Sequence, residues 1–334
     1  MKQAALDVYR CPRTGAKLRL EAGEPESADI EVGVLSGGIT PYRIVDGMPT
    51  FAATEALAGT ASFARQYYAS IASTYDENVQ VTFDLYHEDE QNVRASMIDL
   101  LHLRPSSKVL EISAGTGKDS ELIAQKLSAE GELWLLDISP DMLRIAKEKI
   151  SARPIRTEAA VGDACWLPYP DNYFDALYCF AGVGHFTERS RALQEMSRVV
   201  RVGGRVVFAE KNVPPWLRNT EYGRILINNN PMFADANPLE ILPTTVRNAG
   251  IRWILGNVHY VVDYTVGEGE PMGNFDLELP GARGGTFNTR YFGKLEGVTP
   301  EAKELCVRAA ASCGMSVHDW LDSIVKERAK LDLR

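Results

Sequence analysis

The chain has 334 residues, 45% of them hydrophobic and 24% charged, which suffices for a large core with accessory modules. A formal net charge of -9 and an isoelectric point near 5.2 offer no global attraction to a polyanion, and the sequence holds no local basic patch, so nucleic acid is disfavoured as a substrate. No stretch approaches the roughly 18 apolar residues of a membrane span, the N-terminus lacks an apolar signal core, and the five cysteines form no Cys-x-x-Cys pair; a reduced, cytoplasmic compartment is expected.

In chain order, residues 1–54 read as a small separate β unit: segments 9–20 and 42–51 are short β pieces joined by an acidic, Gly-rich loop. A linker near residues 54–60 leads into a helix and turn over 63–76 that carries Tyr67 and Tyr75. Residues 92–103 read as a helix with Val93, Met97, Leu100 and Leu101 on one face, ended before Pro105.

The most informative segment, 109–120, runs from an apolar strand through a small-residue turn into an apolar helix. Gly115 and Gly117 tolerate the dihedrals of such a turn and lack the side chains that would keep a ligand's ribose or phosphate from the backbone. A second strand, 133–137, ends in Asp137, 22 residues after Gly115, where doubly wound folds place a carboxylate on two ribose hydroxyls. Asp163 and Ala164 precede a further strand, 174–180, that ends in Phe180. Just beyond it, Gly-Val-Gly-His-Phe sets His185 beside the crevice that strand ends border. Residues 193–210 read as a helix, a Gly203-Gly204 turn and a fifth strand closing on Glu210.

An insert over about 211–238 then carries Trp216, Tyr222, Phe233 and Asn228 to Asn230, apolar walls and neutral hydrogen-bonding groups that suit a lid over a small polar ligand or, equally, a subunit contact. Residues 239–249 read as a helix, and 251–266 as a β-hairpin turning at Gly256-Asn257. After a Gly-rich loop over 267–285, segment 286–334 reads as strand (290–295), helix from Thr299, and a second helix capped by Ser316 with Val317, Trp320, Leu321, Ile324 and Val325 on one side.

The series built on 109–120, Asp137, Asp163 and 193–210 resembles the class I S-adenosylmethionine-dependent methyltransferases, nearest the small-molecule branch that includes ubiquinone and menaquinone methyltransferases, over residues 62–266. The resemblance implies an α/β, doubly wound, Rossmann-like sheet of seven strands. The family's first motif, an acid and three alternate glycines, is matched by Glu111, Ser113, Gly115 and Gly117, with serine in place of the first glycine. It further implies that Glu111 lies near the methionine moiety, Asp137 binds the ribose, Asp163 and Ala164 face the adenine amine, Ile138 and Met142 pack on the adenine, Phe180 lines the cofactor, and Tyr67 or Tyr75 reaches the methionine carboxylate. His185 and Glu210 are the candidates for a general base.

The first 54 residues are similar to a small zinc-ribbon-like module found before or beside some methyltransferases, but Cys11 is followed by Thr14 and no second pair exists, so no metal is expected. The C-terminal strand-helix-helix loosely resembles ribbon-helix-helix proteins. Its eight Lys or Arg against seven Asp or Glu over 289–334 are too balanced for a phosphate grip and favour dimerisation or docking, so a homo-oligomer, a dimer at the simplest, is expected. Three rival readings stand beside a methyltransferase acting on a small polar or biosynthetic metabolite. A dinucleotide oxidoreductase would want glycine where Ser120 stands; a nucleic-acid methyltransferase and a DNA-binding regulator both run against the charge.

Overall fold

A computed structural model describes residues 1–22, 29–38, 40–52, 59–282, 284–292 and 298–333. The described chain forms two units, Met1–Glu270 and Pro271–Arg334.

The first unit opens with a four-stranded antiparallel sheet in the order β1 (Arg19–Ala22), β2 (Gly33–Ser36), β3 (Tyr42–Val45), β4 (Met48–Pro49). Strand β2 falls in the segment expected to be loop: Val34 and Leu35 pair with Arg43 and Tyr42 of β3, and Leu35 is fully buried. Helices α1 (Gly59–Ile71), α2 (Tyr75–Leu85) and α3 (Glu90–Asp99) follow. Asp89 caps α3, accepting from Asn92 N, and the helix ends before the positive φ of His102.

The main sheet contains β5 (Lys108–Ile112), β6 (Glu132–Asp137), β7 (Arg156–Val161), β8 (Phe174–Phe180), β9 (Val200–Lys211), β10 (Val246–Ile254) and β11 (His259–Val266). Its order is β10-β11-β9-β8-β5-β6-β7, with β5 to β9 parallel and the last two antiparallel. The central strands are near-continuous apolar runs because both faces are covered. Helices α4 (Lys118–Lys126), α5 (Pro140–Ile150) and α6 (Arg189–Val199) make the crossovers, and α7 (Glu221–Asn229) lies in the insert. Strand order reverses between β5 and β8, which opens a crevice at their carboxyl ends.

One face of this sheet packs against α3, α4 and α5 through Met97, Ile98, Ile123, Leu143 and Ala146. The other face shares a single core with the N-terminal sheet and α6. There Tyr9 meets Trp134 of β6 edge-on at 5.4 Å, and Phe51 N donates to Val161 O at 2.7 Å, which extends the β7 edge into residues 50–52.

The helix expected over 239–249 is replaced by a short 3-10 turn, Pro238–Ile241, and then by β10. Pro243 has no N–H to continue a helix, and Val246 already pairs with Val266 of β11, with a bulge between Arg247 and Gly250.

In the second unit, α9 (Pro300–Ser312) and α10 (Val317–Asp332) are capped by Thr299 and Ser316, which accept from Ala302 N and Asp319 N. Helix α8 (Phe287–Phe292) stands where the strand over 290–295 was expected; residues 293–295 lie outside the described residues. The Thr286 hydroxyl accepts from Thr289 N, and the Arg290 backbone N donates to Thr286 O, so local turn bonding sets this segment helical.

Candidate active site

The turn after β5 is built on left-handed backbone. Ser113, Gly115 and Gly117 have φ of 56°, 55° and 85°. Serine therefore occupies a conformation that glycine would adopt without cost. Gly117 begins α4, and a Cβ there would lie 2.9 Å from both the Cα and the Cβ of Ala146, so glycine lets α4 and α5 approach.

Asp137 is buried at the end of β6, and its carboxylate organises the turn beside it. One oxygen accepts from Gly115 N at 2.9 Å, the other from Ser139 N at 2.8 Å. Burial raises its pKa, while these backbone N–H groups pull it back toward the ionised form. Each oxygen keeps a lone pair for a further donor. Asp163 likewise braces its own loop, accepting from Cys165 N at 2.9 Å.

A cavity opens over these groups. Tyr75, Ser113, Gly115, Asp137, Ile138, Met142, Asp163, Ala164, Phe180 and His185 line it, so ten of the residues singled out in the sequence converge on one space. Four do not line it. Gly117 sits in the α4–α5 contact. Glu111 is buried below the turn, where it accepts from Ser120 Oγ at 2.5 Å and burial pushes its pKa well up. Tyr67 is about half exposed and stacks on Phe63. Glu210 spends its carboxylate on backbone, accepting from Gly184 N at 2.7 Å and Lys211 N at 2.8 Å.

Through Gly184, Glu210 fixes the short turn Val183–His185 that carries the imidazole. His185 Nε2 lies 3.2 Å from Tyr68 Oη, and burial lowers the imidazole pKa against the opposing charge of Glu210. The ring is thus held neutral at ordinary pH with a proton-accepting nitrogen available.

Residues 109–204 match a family model described as a methyltransferase domain. The ubiquinone/menaquinone biosynthesis C-methyltransferase UbiE of Cupriavidus metallidurans is 35% identical over 144 residues, 43% of this chain and 58% of the relative. The same enzyme of Bordetella avium is 36% identical over 146 residues, 43% of this chain and 56% of the relative. The chain thus spans a little over half the length of the curated relatives it matches. A solved S-adenosylmethionine-dependent methyltransferase from Aquifex aeolicus covers 53% of this chain and 94% of its own at 16% identity, with a TM-score of 0.40. Residues 109–204 of the chain form a methyltransferase domain.

The tyrosine that faces the cavity from α1 is Tyr68, one position after the expected Tyr67. Tyr68 was not among the residues singled out in the sequence, and helical phase explains its place: Ala61, Ala64 and Tyr68 fall at spacings of three and four on the face turned inward. The insert packs over the β10–β11 turn: Tyr222 Oη donates to Gly256 O at 2.8 Å, and Phe233 is buried against His259. Trp216 is largely exposed against Trp253, and Asn230 is occupied in capping the turn at Met232. Cys11 in the N-terminal sheet is buried with its sulfur 3.2 Å from Tyr42 Oη, and the described residues contain no group of three or more His, Cys, Asp or Glu arranged for a metal ion. No helix among the described residues is long and apolar enough to cross a membrane.

Proposed function

We propose that the chain transfers a methyl group from S-adenosylmethionine to a small polar or biosynthetic metabolite through an O, N or C atom. The observation that carries this is Asp137: a buried carboxylate at the β6 end, tied to Gly115 N and opening on a cavity whose next walls are Ile138 and Met142. That set offers acceptors for a ribose diol beside an apolar slot for a purine, so the residues fit the cofactor. Asp163 and Ala164 would meet the adenine amine, Ser113 and Gly115 the methionine side, and Tyr68, Tyr75 and Phe180 would close over it. Glu111, through Ser120, and Gly117, through Ala146, would act by holding the turn.

The bound cofactor supplies an electrophilic methyl group on a sulfonium. The protein then has to align the acceptor, exclude water and, for an acidic acceptor, receive a proton. His185 is placed for the last task, with Tyr68 orienting its Nε2 and Glu210 holding its turn. The names of the relatives, which describe carbon methylation in quinone biosynthesis, support a small-molecule acceptor over nucleic acid, as does the acidic charge. We further infer that the second unit pairs with another copy of the chain, since α10 buries none of its residues.

Calorimetric titration with S-adenosylmethionine and S-adenosylhomocysteine tests the reading. Asp137→Ala is expected to weaken both by about tenfold or more, a loss of about 1.4 kcal/mol. Absence of binding to the folded protein would refute it.

A further inference from the structure

A second cavity adjoins the first across Tyr68, Tyr75 and the Ser113–Gly115 turn. It lies on the α3–α4 side of the sheet, and its farther walls come from Arg94, Lys118, Lys211 and His259. Two of its cations are already neutralised. Arg94 Nε binds Glu90 at 2.8 Å and its Nη1 binds Asp119 at 2.5 Å, while Lys118 Nζ binds Glu90 at 2.6 Å. Lys211 has no carboxylate in ion-pair range among the described residues, so the cavity keeps one unmatched positive charge.

Opposite Lys211 in the β9–β11 register stands His259. Directly opposed residues of an antiparallel pair put their side chains on the same face, and both residues line the cavity. His259 is buried, and its Nδ1 has no hydrogen-bond partner among the described residues. An unmet buried polar atom is unfavourable unless a ligand or solvent supplies the partner. Phe83, Phe180, Tyr68 and Tyr75 give the same cavity aromatic walls, and Phe180, Tyr68 and Tyr75 also line the first cavity.

We propose that this cavity is the acceptor subsite and takes an aromatic acceptor whose carboxylate or phenolate oxygen is set against Lys211 Nζ and His259 Nδ1. The proposal rests on the cofactor reading above, because the shared wall is what would bring the acceptor to the methyl group. Lys211 supplies the counter-charge, the Nδ1–H tautomer of His259 donates to the anion, and the aromatic walls hold the ring.

The test uses the full chain saturated with S-adenosylhomocysteine and titrated with 4-hydroxybenzoate or its neutral amide, 4-hydroxybenzamide. The carboxylate is expected to bind about tenfold more tightly or better. Lys211→Met should erase that preference and Lys211→Arg should retain it, with S-adenosylhomocysteine affinity within about twofold of the parent in both variants, which also reports folding. Equal binding of the two probes, no binding of either, or a preference that survives Lys211→Met would overturn the acceptor proposal while leaving the cofactor reading intact. A Lys211→Met variant that loses S-adenosylhomocysteine along with the anion would overturn it too, since the charge would then serve the cofactor. If the parent protein binds no S-adenosylhomocysteine, the cofactor reading fails and the acceptor proposal falls with it.

Discussion

Gly182 and Ser113 divide one volume between them: a Cβ added at Gly182 would lie 2.2 Å from Ser113 Oγ and 2.7 Å from Ser113 Cβ. Gly182 has φ of -108°, which any residue adopts, so the restriction there is steric. Ser113 is the reverse case, a side chain accommodated on left-handed backbone. The β8 loop thus gives up a side chain so that the β5 turn can carry one.

Gly182→Ala should therefore destabilise the protein by about 1–3 kcal/mol and weaken S-adenosylhomocysteine binding. Ser113→Gly should be nearly neutral, because it trades a hydroxyl for relief of backbone strain. In the double variant most of the Gly182→Ala loss should return, with a coupling of about 1 kcal/mol or more. Urea unfolding of the four proteins measures this cycle; additive effects would show that the two positions do not compete.

Gly117→Ala combines two penalties, a Cβ at φ of 85° and a 2.9 Å approach to the Ala146 backbone. A loss of about 2–4 kcal/mol is expected by the same unfolding measurement. Gly115→Ala offers the comparison, since its nearest neighbours lie at 4.0 Å. It should cost only the backbone part, about 1–2 kcal/mol.

The sheet and the floor of the cavity were legible in the sequence because both depend on local pattern. Apolar runs ending in Asp137 and Phe180, and a small-residue turn at 113–117, specify strand ends and a ligand-facing loop without knowledge of distant contacts. The misreadings share a different cause. Residues 246–249 were expected to end a helix over 239–249, but Val246 and Arg247 pair with Val266 and Thr265 of β11, a partner supplied by tertiary structure. Tyr67 and Tyr68 are indistinguishable until α1 is docked and its phase known. Glu210 stands at a strand end like Asp137, yet Gly184 and Lys211 N–H groups reach it first. Lys211 and His259 lie 48 positions apart, and only the β9–β11 register brings them together.

His259 predicts a specific acid sensitivity. Burial, with Lys211 nearby, lowers its pKa to about 3 from an ordinary 6.5. Between those values the unfolded chain binds a proton that the native protein refuses, so stability falls as pH drops below about 6.5. From pH 7 to pH 5 this site should remove about 2 kcal/mol. His259→Phe should lose that component, so its stability relative to the parent should improve on acidification. Chemical denaturation at both pH values checks it, and a difference that is independent of pH would place the histidine in contact with solvent.

The second unit predicts self-association. Ile324 and Val325 of α10 are 43% and 55% exposed on the stripe with Trp320 and Leu321, and the helix has no buried residue. Light scattering should give a dimer mass at micromolar concentration. Val325→Asp should yield monomers without changing S-adenosylhomocysteine affinity, whereas a monomeric parent would leave this stripe for a different partner.

Tyr9, on the N-terminal side of the shared core, presses on Trp134, three positions before Asp137 on the same strand. Trp134 is in turn clasped edge-on by Tyr169, Tyr173 and Phe174. The opening fifty residues therefore act as a brace behind the ligand carboxylate. Through Tyr9 and Trp134 the small β layer is packed directly against the strand that ends in Asp137.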